Sequence, residues 1–128
     1  MRFLLDTCTL LWATLSPASL SAQARSLIAE EANEILVSAA SAWEISTKVR
    51  LGKLPGAETL EQNYLEVLET TGYTLLPIDT AHALRAGRIT ADHRDPFDRM
   101  LAAQALALDA PILSPDTQLD QFTIRRIW

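Results

Sequence analysis

The sequence has few of the residues that cross-link small secreted proteins or make a chain flexible. Its single cysteine, Cys8, excludes an internal disulfide, and no paired-cysteine spacing indicates a zinc site. It also lacks an apolar run of about 20 residues, the length of a membrane span. Only four of the 128 residues are glycine. We therefore expect one folded domain, residues 1–128, in a reducing, cytoplasmic compartment and without membrane contact.

The chain also has no excess of basic over acidic residues. The 16 acidic residues outnumber the 11 basic ones, which gives a formal charge of −5. Taken alone, this balance argues mildly against a nucleic-acid partner. If a metal neutralised four of the acids, acids and bases would be nearly balanced. An anionic substrate is therefore not excluded.

Short apolar segments alternate with amphipathic helical segments along the chain. The pattern predicts strands at residues 2–5, 35–37, 73–77, 112–113 and 123–128. Helices are predicted to begin near residue 8 and to span residues 20–28, 38–51, 60–71, 81–86 and 96–108, with Gly72 ending the fourth and Gly87 the fifth. This alternation predicts a single α/β domain, an α/β/α sandwich whose mainly parallel central sheet is flanked by helices.

Four acids occupy positions that solvent exposure on a helix face does not explain. Asp6 ends the first predicted strand, and Asp116 follows the strand at 112–113. Glu44 lies between Trp43 and an isoleucine, one turn into a helix, and Asp98 begins the most apolar helix. Strand ends and the helix starts after them share one edge of a parallel sheet, where such folds bind ligands. We expect the four carboxylates to converge there.

Like charges in a partly buried site repel one another by several kcal/mol unless a proton or a cation neutralises them. A set of oxygen ligands favours Mg²⁺ or Mn²⁺ over Zn²⁺, and leaves positions for water and substrate phosphate. Ions held in this way can activate a water for phosphodiester hydrolysis. The acids therefore predict a metal-dependent phosphodiesterase centre.

Ordinary structural roles stay open for these acids when each is taken alone. Asp6 could cap a helix, Asp98 could interact with a helix dipole or a neighbouring arginine, and Asp116 could be a turn residue. Glu44 is harder to explain in this way, because a charge in an apolar segment is costly unless it is paired. The metal hypothesis therefore depends on the joint arrangement.

Basic residues lie near the predicted site, where they could contact phosphates. They are Lys48, Arg50, Lys53, Arg85, Arg88, Arg94 and Arg99. The first three could equally be the solvated end of a helix, where cations are favoured. His93 could assist a proton transfer, although a lone histidine expected to be exposed in a loop usually has no special role. Trp12, Trp43, Phe97 and Met100 are expected in the core or a dimer interface.

Several stretches resemble PIN-domain ribonucleases, in particular the VapC toxins of bacterial type II toxin–antitoxin (VapBC) pairs. They are residues 3–7, 41–45 and above all 93–105, which contains the run Asp-Pro-Phe-Asp-Arg. The resemblance implies that Asp6, Glu44 and Asp98 are catalytic and bind Mg²⁺ or Mn²⁺. Asp116 is the fourth acid that it implies, with Asp120 as the competing position. It further implies supporting roles for Thr7 and Ser41, which would orient carboxylates or waters, and for Asp95 as a supporting or capping group.

The expected function is that of a metal-dependent endoribonuclease acting as the toxin of such a pair. Lys48, Arg94 and Arg99 are the candidate contacts to an RNA substrate. The resemblance also implies a homodimer and inhibition by a cognate VapB-like antitoxin. Two alternatives are a catalytically silent binding module and a metal-dependent phosphatase or DNA nuclease using the same acids.

Overall fold

A computed structural model describes the whole chain, residues 1–128. Its strands are β1 (Arg2–Leu5), β2 (Glu34–Ser38), β3 (Thr74–Leu76), β4 (Ile112–Leu113) and β5 (Arg126–Ile127). Its helices are α1 (Thr7–Leu15), α2 (Ala22–Ala29), α3 (Ala39–Arg50), α4 (Glu58–Gln62), α5 (Tyr64–Thr71), α6 (Thr80–Arg88) and α7 (Pro96–Leu108). Short 3₁₀ segments lie at Pro17–Ser19 and Thr117–Phe122. None of the helices has the length and apolarity that crossing a bilayer requires.

The five strands form one sheet in the order β3-β2-β1-β4-β5, and every pairing is parallel. From β1 the chain builds outward through β2 and β3, then returns to the other side of β1 to add β4 and β5. The order therefore reverses between β1 and β4, and such a switch point is where open α/β sheets bind ligands. The predicted parallel α/β sandwich is confirmed.

The core has two parts, one on each face of the sheet. Leu4 packs in a cluster with Leu101 of α7 and with Leu119 and Phe122 of the second 3₁₀ segment. The neighbouring Phe3 and Leu5 belong to the other cluster, which also contains residues of α1, α3 and α5. This alternation follows from the two-residue period of a strand. Strand β1 is thus buried on both faces, as expected in a parallel sheet covered by helices.

Three local predictions were wrong in their details. The helix predicted over residues 60–71 ends before Gly72 as expected but is divided at Asn63, whose side-chain amide donates to the Thr59 carbonyl oxygen (3.0 Å) and competes with the helical backbone. Gly87 does not end α6, which continues to Arg88. The strand predicted over residues 123–128 is shorter, Arg126–Ile127, because Thr123 instead ends the 3₁₀ segment Thr117–Phe122, which was not predicted.

Candidate active site

Asp6 lies directly after β1, at the switch point of the sheet, and is only 5% exposed. One carboxylate oxygen, Oδ1, accepts a hydrogen bond from the Thr9 amide (2.8 Å), so Asp6 also caps α1. The other, Oδ2, accepts one from the Ser114 hydroxyl. Burial raises the pKa of Asp6 above its usual range, although the bonds from Ser114 and Thr9 oppose the rise. Asp6 is therefore a buried acid whose charge is only partly compensated.

Ser114 connects Asp6 with Asp116. The Asp116 amide donates to Ser114 Oγ (3.0 Å), and the same hydroxyl donates to Asp6. The negative charge of Asp116 adds to the rise in the pKa of Asp6, so the two acids lie within electrostatic reach. The Asp116 side chain also accepts from the Gln118 amide (2.9 Å), which is the turn role left open above. Sequence reasoning missed Ser114, although it follows β4 just as Asp6 follows β1.

Glu44 lies on α3, is 7% exposed, and forms an ion pair with Lys48 one turn later in the helix. The hydrogen bond to Glu44 raises the pKa of Lys48, and the charges of Asp95 and Asp98 contribute further. Lys48 is thus surrounded by acids from α3 and from the start of α7. In this arrangement its ammonium compensates Glu44 directly and does not lie free in solvent.

Asp98 lies in the first turn of α7, with its side chain 19% exposed. Its Oδ2 is 2.8 Å from His93 Nε2. Burial raises the pKa of Asp98 to about 6, although the bond from His93 opposes the rise, and the charges of Asp95 and Glu44 add to it. Asp95, not Asp98, caps α7, because its Oδ1 accepts from the amides of Phe97 (2.8 Å) and Asp98 (3.3 Å). The Asp98 carboxylate is therefore left for a role other than capping.

Cys8 shows that acids from different elements share this region. Burial is the main reason why the pKa of its thiol rises to about 11, and the charges of Asp6, Asp116 and Glu44 add to the effect. Glu44 also contributes to the raised pKa of Asp98. Asp116 thus acts on Asp6 and Glu44 acts on Asp98, and the Cys8 thiol lies within electrostatic reach of Asp6, Asp116 and Glu44. A pKa this high keeps the Cys8 thiol protonated near neutral pH, the form that is a poor nucleophile.

His93 and Arg99 have roles that the sequence did not predict. His93 is not the exposed histidine that was expected: its side chain is 11% exposed and bonded to Asp98. Arg99 is not a free phosphate contact, because its guanidinium donates to four backbone carbonyl oxygens. These belong to Ala86, Ile89, Ala91 and His93. Arg99 thus satisfies carbonyls that the end of α6 leaves without partners, whereas Arg94 in the same loop is exposed.

Thr7 and Ser41 form a buried hydrogen bond with each other, from Thr7 Oγ1 to Ser41 Oγ (3.0 Å). Neither hydroxyl donates to a carboxylate, so their expected role in orienting carboxylates is not observed. The bond joins α1, which begins at the Asp6 cap, to α3, which carries Glu44. The pair therefore fixes the positions of two helices that contribute to the site.

Two of the aromatic residues expected in the core or a dimer interface lie at the surface beside the acids. Trp43 is 60% exposed and packs edge-on against Phe97, with ring centroids 4.8 Å apart and the planes at 75°. Each is the chain neighbour of an acid of the site, Glu44 or Asp98. The pair borders a mainly apolar cavity of about 220 Å³ between α3, α6 and α7. A place for Trp43 in the core is therefore wrong.

The donor chemistry of the site fits a hard divalent cation, because Asp6, Glu44, Asp98 and Asp116 offer only oxygen ligands. However, no three acidic, histidine or cysteine side chains are placed to hold one ion together. Three of the acids instead have a side-chain partner within the protein, namely Ser114, Lys48 and His93, and Asp116 accepts from the Gln118 amide. The carboxylates are thus gathered at one edge but are individually compensated.

Asp120 differs from Asp116 in its surroundings. It is exposed and paired with Arg126, whose Nε and Nη2 lie 2.8 and 3.1 Å from its two carboxylate oxygens. The hydrogen bond from Arg126 lowers the pKa of Asp120. Asp120 does not contribute to the pKa of Asp6 or Cys8, whereas Asp116 does. The geometry therefore favours Asp116 as the fourth acid.

Comparison with known proteins agrees with this fold. The chain matches the family model of the PIN domain over residues 3–124. It is 40% identical over 60 residues to ribonuclease VapC16 of Mycobacterium tuberculosis, a match that covers 47% of this chain and 43% of that protein. The matched segment thus spans less than half of that relative.

Two solved structures share the fold at low sequence identity. VapBC2 from Rickettsia felis, bound to a DNA fragment from their promoter, has a TM-score of 0.72 and 15% identity, covering 100% of this chain and 99% of that chain. FitAcB from Neisseria gonorrhoeae has a TM-score of 0.69 and 20% identity, covering 98% and 96%. These likenesses concern the fold alone.

The raised pKa of Asp98 predicts how stability depends on pH. The native state holds the Asp98 proton up to about pH 6, whereas the unfolded chain releases it near 3.8, so the native state binds more protons between these values. With a chelator present, the free energy of unfolding of the wild type should fall by about 2 kcal/mol relative to Asp98→Asn between about pH 4 and about pH 7.

Urea unfolding curves at several pH values would measure this difference. Asp120→Asn is the matched control, because the pKa of Asp120 is lowered and its contribution has the opposite sign. Because Asp120→Asn keeps Asp98, its free energy of unfolding should still fall with rising pH relative to that of Asp98→Asn, as it does for the wild type. Parallel pH dependence of the wild type and Asp98→Asn would contradict the raised pKa.

Proposed function

Since the chain belongs to the PIN domain family, we propose that it is a metal-dependent endoribonuclease and the toxin of a toxin–antitoxin pair. The observation that carries the proposal is the position of four carboxylates, in two interacting pairs (Asp6 with Asp116, Glu44 with Asp98), near the switch point of a parallel sheet. The 40% identity to a protein named as a ribonuclease supports RNA as the substrate.

Asp6, Glu44, Asp98 and Asp116 are the residues that would hold Mg²⁺ or Mn²⁺. When bound, the ion supplies an activated water and stabilises the charge that develops on the phosphodiester. Burial raises the pKa values of Asp6 and Asp98, so each carboxylate lacks the solvation that it would have in water and gains from a nearby cation. Ser114 would hold the Asp6 carboxylate in place through its hydroxyl.

Lys48 and Arg94 are the proposed contacts to RNA phosphates. The Lys48 ammonium lies on a flexible stem next to Glu44, so it would be released toward substrate if Glu44 bound an ion. Arg94 is exposed in the loop that also carries His93. Arg99 is left out of this set, because its donors already bind backbone carbonyls.

The first prediction of the proposal is that the purified chain cleaves RNA with Mn²⁺ or Mg²⁺. Discrete fragments should form, EDTA should abolish them, and Asp98→Asn should lower the cleavage rate by more than about 100-fold, because a proposed ion ligand is lost. The measurement is the initial rate of cleavage of a defined RNA, read by gel electrophoresis.

Parallel reactions with DNA and with a phosphomonoester test the alternative enzymes. Cleavage of either, without cleavage of RNA, would replace the ribonuclease by a DNA nuclease or a phosphatase. Equal activity of the wild type and Asp98→Asn would show that these acids are not the centre. No cleavage of any substrate by the wild type would favour the silent binding module.

Asp116 and Asp120 should differ in the same assay. Asp116→Asn should lower the rate by about 10- to 100-fold, because Asp116 interacts with Asp6 and is bonded to it through Ser114. Asp120→Asn should change the rate by less than about twofold, since exposed ion pairs contribute little. The reverse ranking would make Asp120 the fourth acid.

The partner we propose is a protein antitoxin. Solved structures with this fold include VapBC2, VapBC-1 and FitAB, and two of them, VapBC2 and FitAB, are bound to DNA fragments. An antitoxin that covers the acidic edge, the edge of the sheet near Asp6, Glu44, Asp98 and Asp116, would block access to these carboxylates. A homodimer and a cytoplasmic location stay predictions.

Growth of a bacterial host would test the toxin role. Expression of the wild type should arrest growth, whereas Asp98→Asn should permit it at the same protein level, because arrest depends on RNA cleavage. Co-expression of a small open reading frame adjacent to the gene should restore growth. Equal arrest by the wild type and Asp98→Asn would contradict the proposed role, and an immunoblot would verify equal expression.

A further inference from the structure

We infer that His93 is a positioning residue that holds the Asp98 carboxylate by its Oδ2 atom and leaves Oδ1 available to a divalent cation. The inference rests on the proposed metal-dependent function. It concerns a residue for which the sequence predicted no positioning role. The observation behind it is a contact between the loop after α6 and the first turn of α7.

The His93 ring is held by neighbours from two elements. Its Nε2 lies 2.8 Å from Asp98 Oδ2 on α7. Its plane stands perpendicular to the ring of Phe122, at a centroid distance of 5.3 Å, and Phe122 belongs to the second 3₁₀ segment. With 11% of its side chain exposed, the ring has little room to turn away from Asp98. The hydrogen bond is therefore a fixed contact.

The His93 backbone is held as well. Arg99 Nη1 donates to the His93 carbonyl oxygen (3.0 Å) and to that of Ala91 (3.1 Å), while Nη2 donates to carbonyls at the end of α6. Arg99 is the residue after Asp98, so one turn of α7 carries both the acid and the group that fixes its partner. Arg99 is thus a second positioning residue, acting through the loop.

Asp98 Oδ2 is occupied by this bond, whereas Oδ1 accepts no hydrogen bond from any group of the protein. A carboxylate with one oxygen bonded and the other open presents a single, oriented ligand atom. Hydrogen bonds of this kind orient metal-binding groups, and their loss typically weakens metal binding by about 10- to 100-fold. A purely structural His93 would only fill space against Phe122.

Two substitutions separate these roles. His93→Phe keeps an aromatic ring against Phe122 but removes the donor to Asp98. His93→Gln keeps a side-chain N–H at a similar distance from the backbone but removes the aromatic ring. If His93 positions Asp98, His93→Phe should weaken Mn²⁺ binding by about 10- to 100-fold, and His93→Gln should stay within about threefold of the wild type.

The measurement is the Mn²⁺ dissociation constant of the full chain by isothermal titration calorimetry, with circular dichroism to verify folding. Unchanged affinity in both variants would overturn the inference, as would weaker binding by His93→Gln than by His93→Phe. No Mn²⁺ binding by the wild type would instead overturn the proposed metal site, and the inference with it. Should His93→Phe not fold, His93→Met provides the same test, because methionine fills space without an N–H donor.

Discussion

The parallel pairing of β1 with β4 is the contact on which the site depends. Leu5 is in register with Leu113, so the residues that follow them, Asp6 and Ser114, emerge side by side at one edge of the sheet. A shift of this register by one residue would also exchange the two faces of β1, moving Leu4 out of its cluster. The burial of β1 on both faces therefore stabilises the core and fixes the position of the first acid.

The acidic edge is stable because each of its buried carboxylates has its own hydrogen-bond or ion-pair partner within the protein. Burial of carboxylates costs free energy, and this cost is visible in the raised pKa values of Asp6 and Asp98. Ser114, Lys48 and His93 offset part of it from three different elements. A cation entering the site would compete with these internal donors for the carboxylates. Its affinity would therefore reflect the free energy of the carboxylate–cation contacts minus that of the carboxylate–donor contacts that it replaces.

Features that depend on near neighbours in sequence could be predicted. The capping positions of Asp6 and Asp95, the strand at residues 2–5 and the helix at 96–108 follow from local patterns, and the parallel order of strands implies a common edge for the acids. The roles of Ser114 and His93 could not be predicted in this way, because each depends on a partner brought close only by packing of the sheet and helices. Local patterns also missed the break at Asn63, where one side-chain hydrogen bond competes with the helix.

Arg99 holds the segment between α6 and α7 with hydrogen bonds to four carbonyl oxygens between Ala86 and His93. Surface loops commonly accept inserted residues, because few of their backbone groups have fixed partners. Here the planar guanidinium requires carbonyls at set positions, and an insertion anywhere between Ile89 and His93 would move some of them away from it. The length of this loop is therefore fixed as strictly as that of a strand in the sheet.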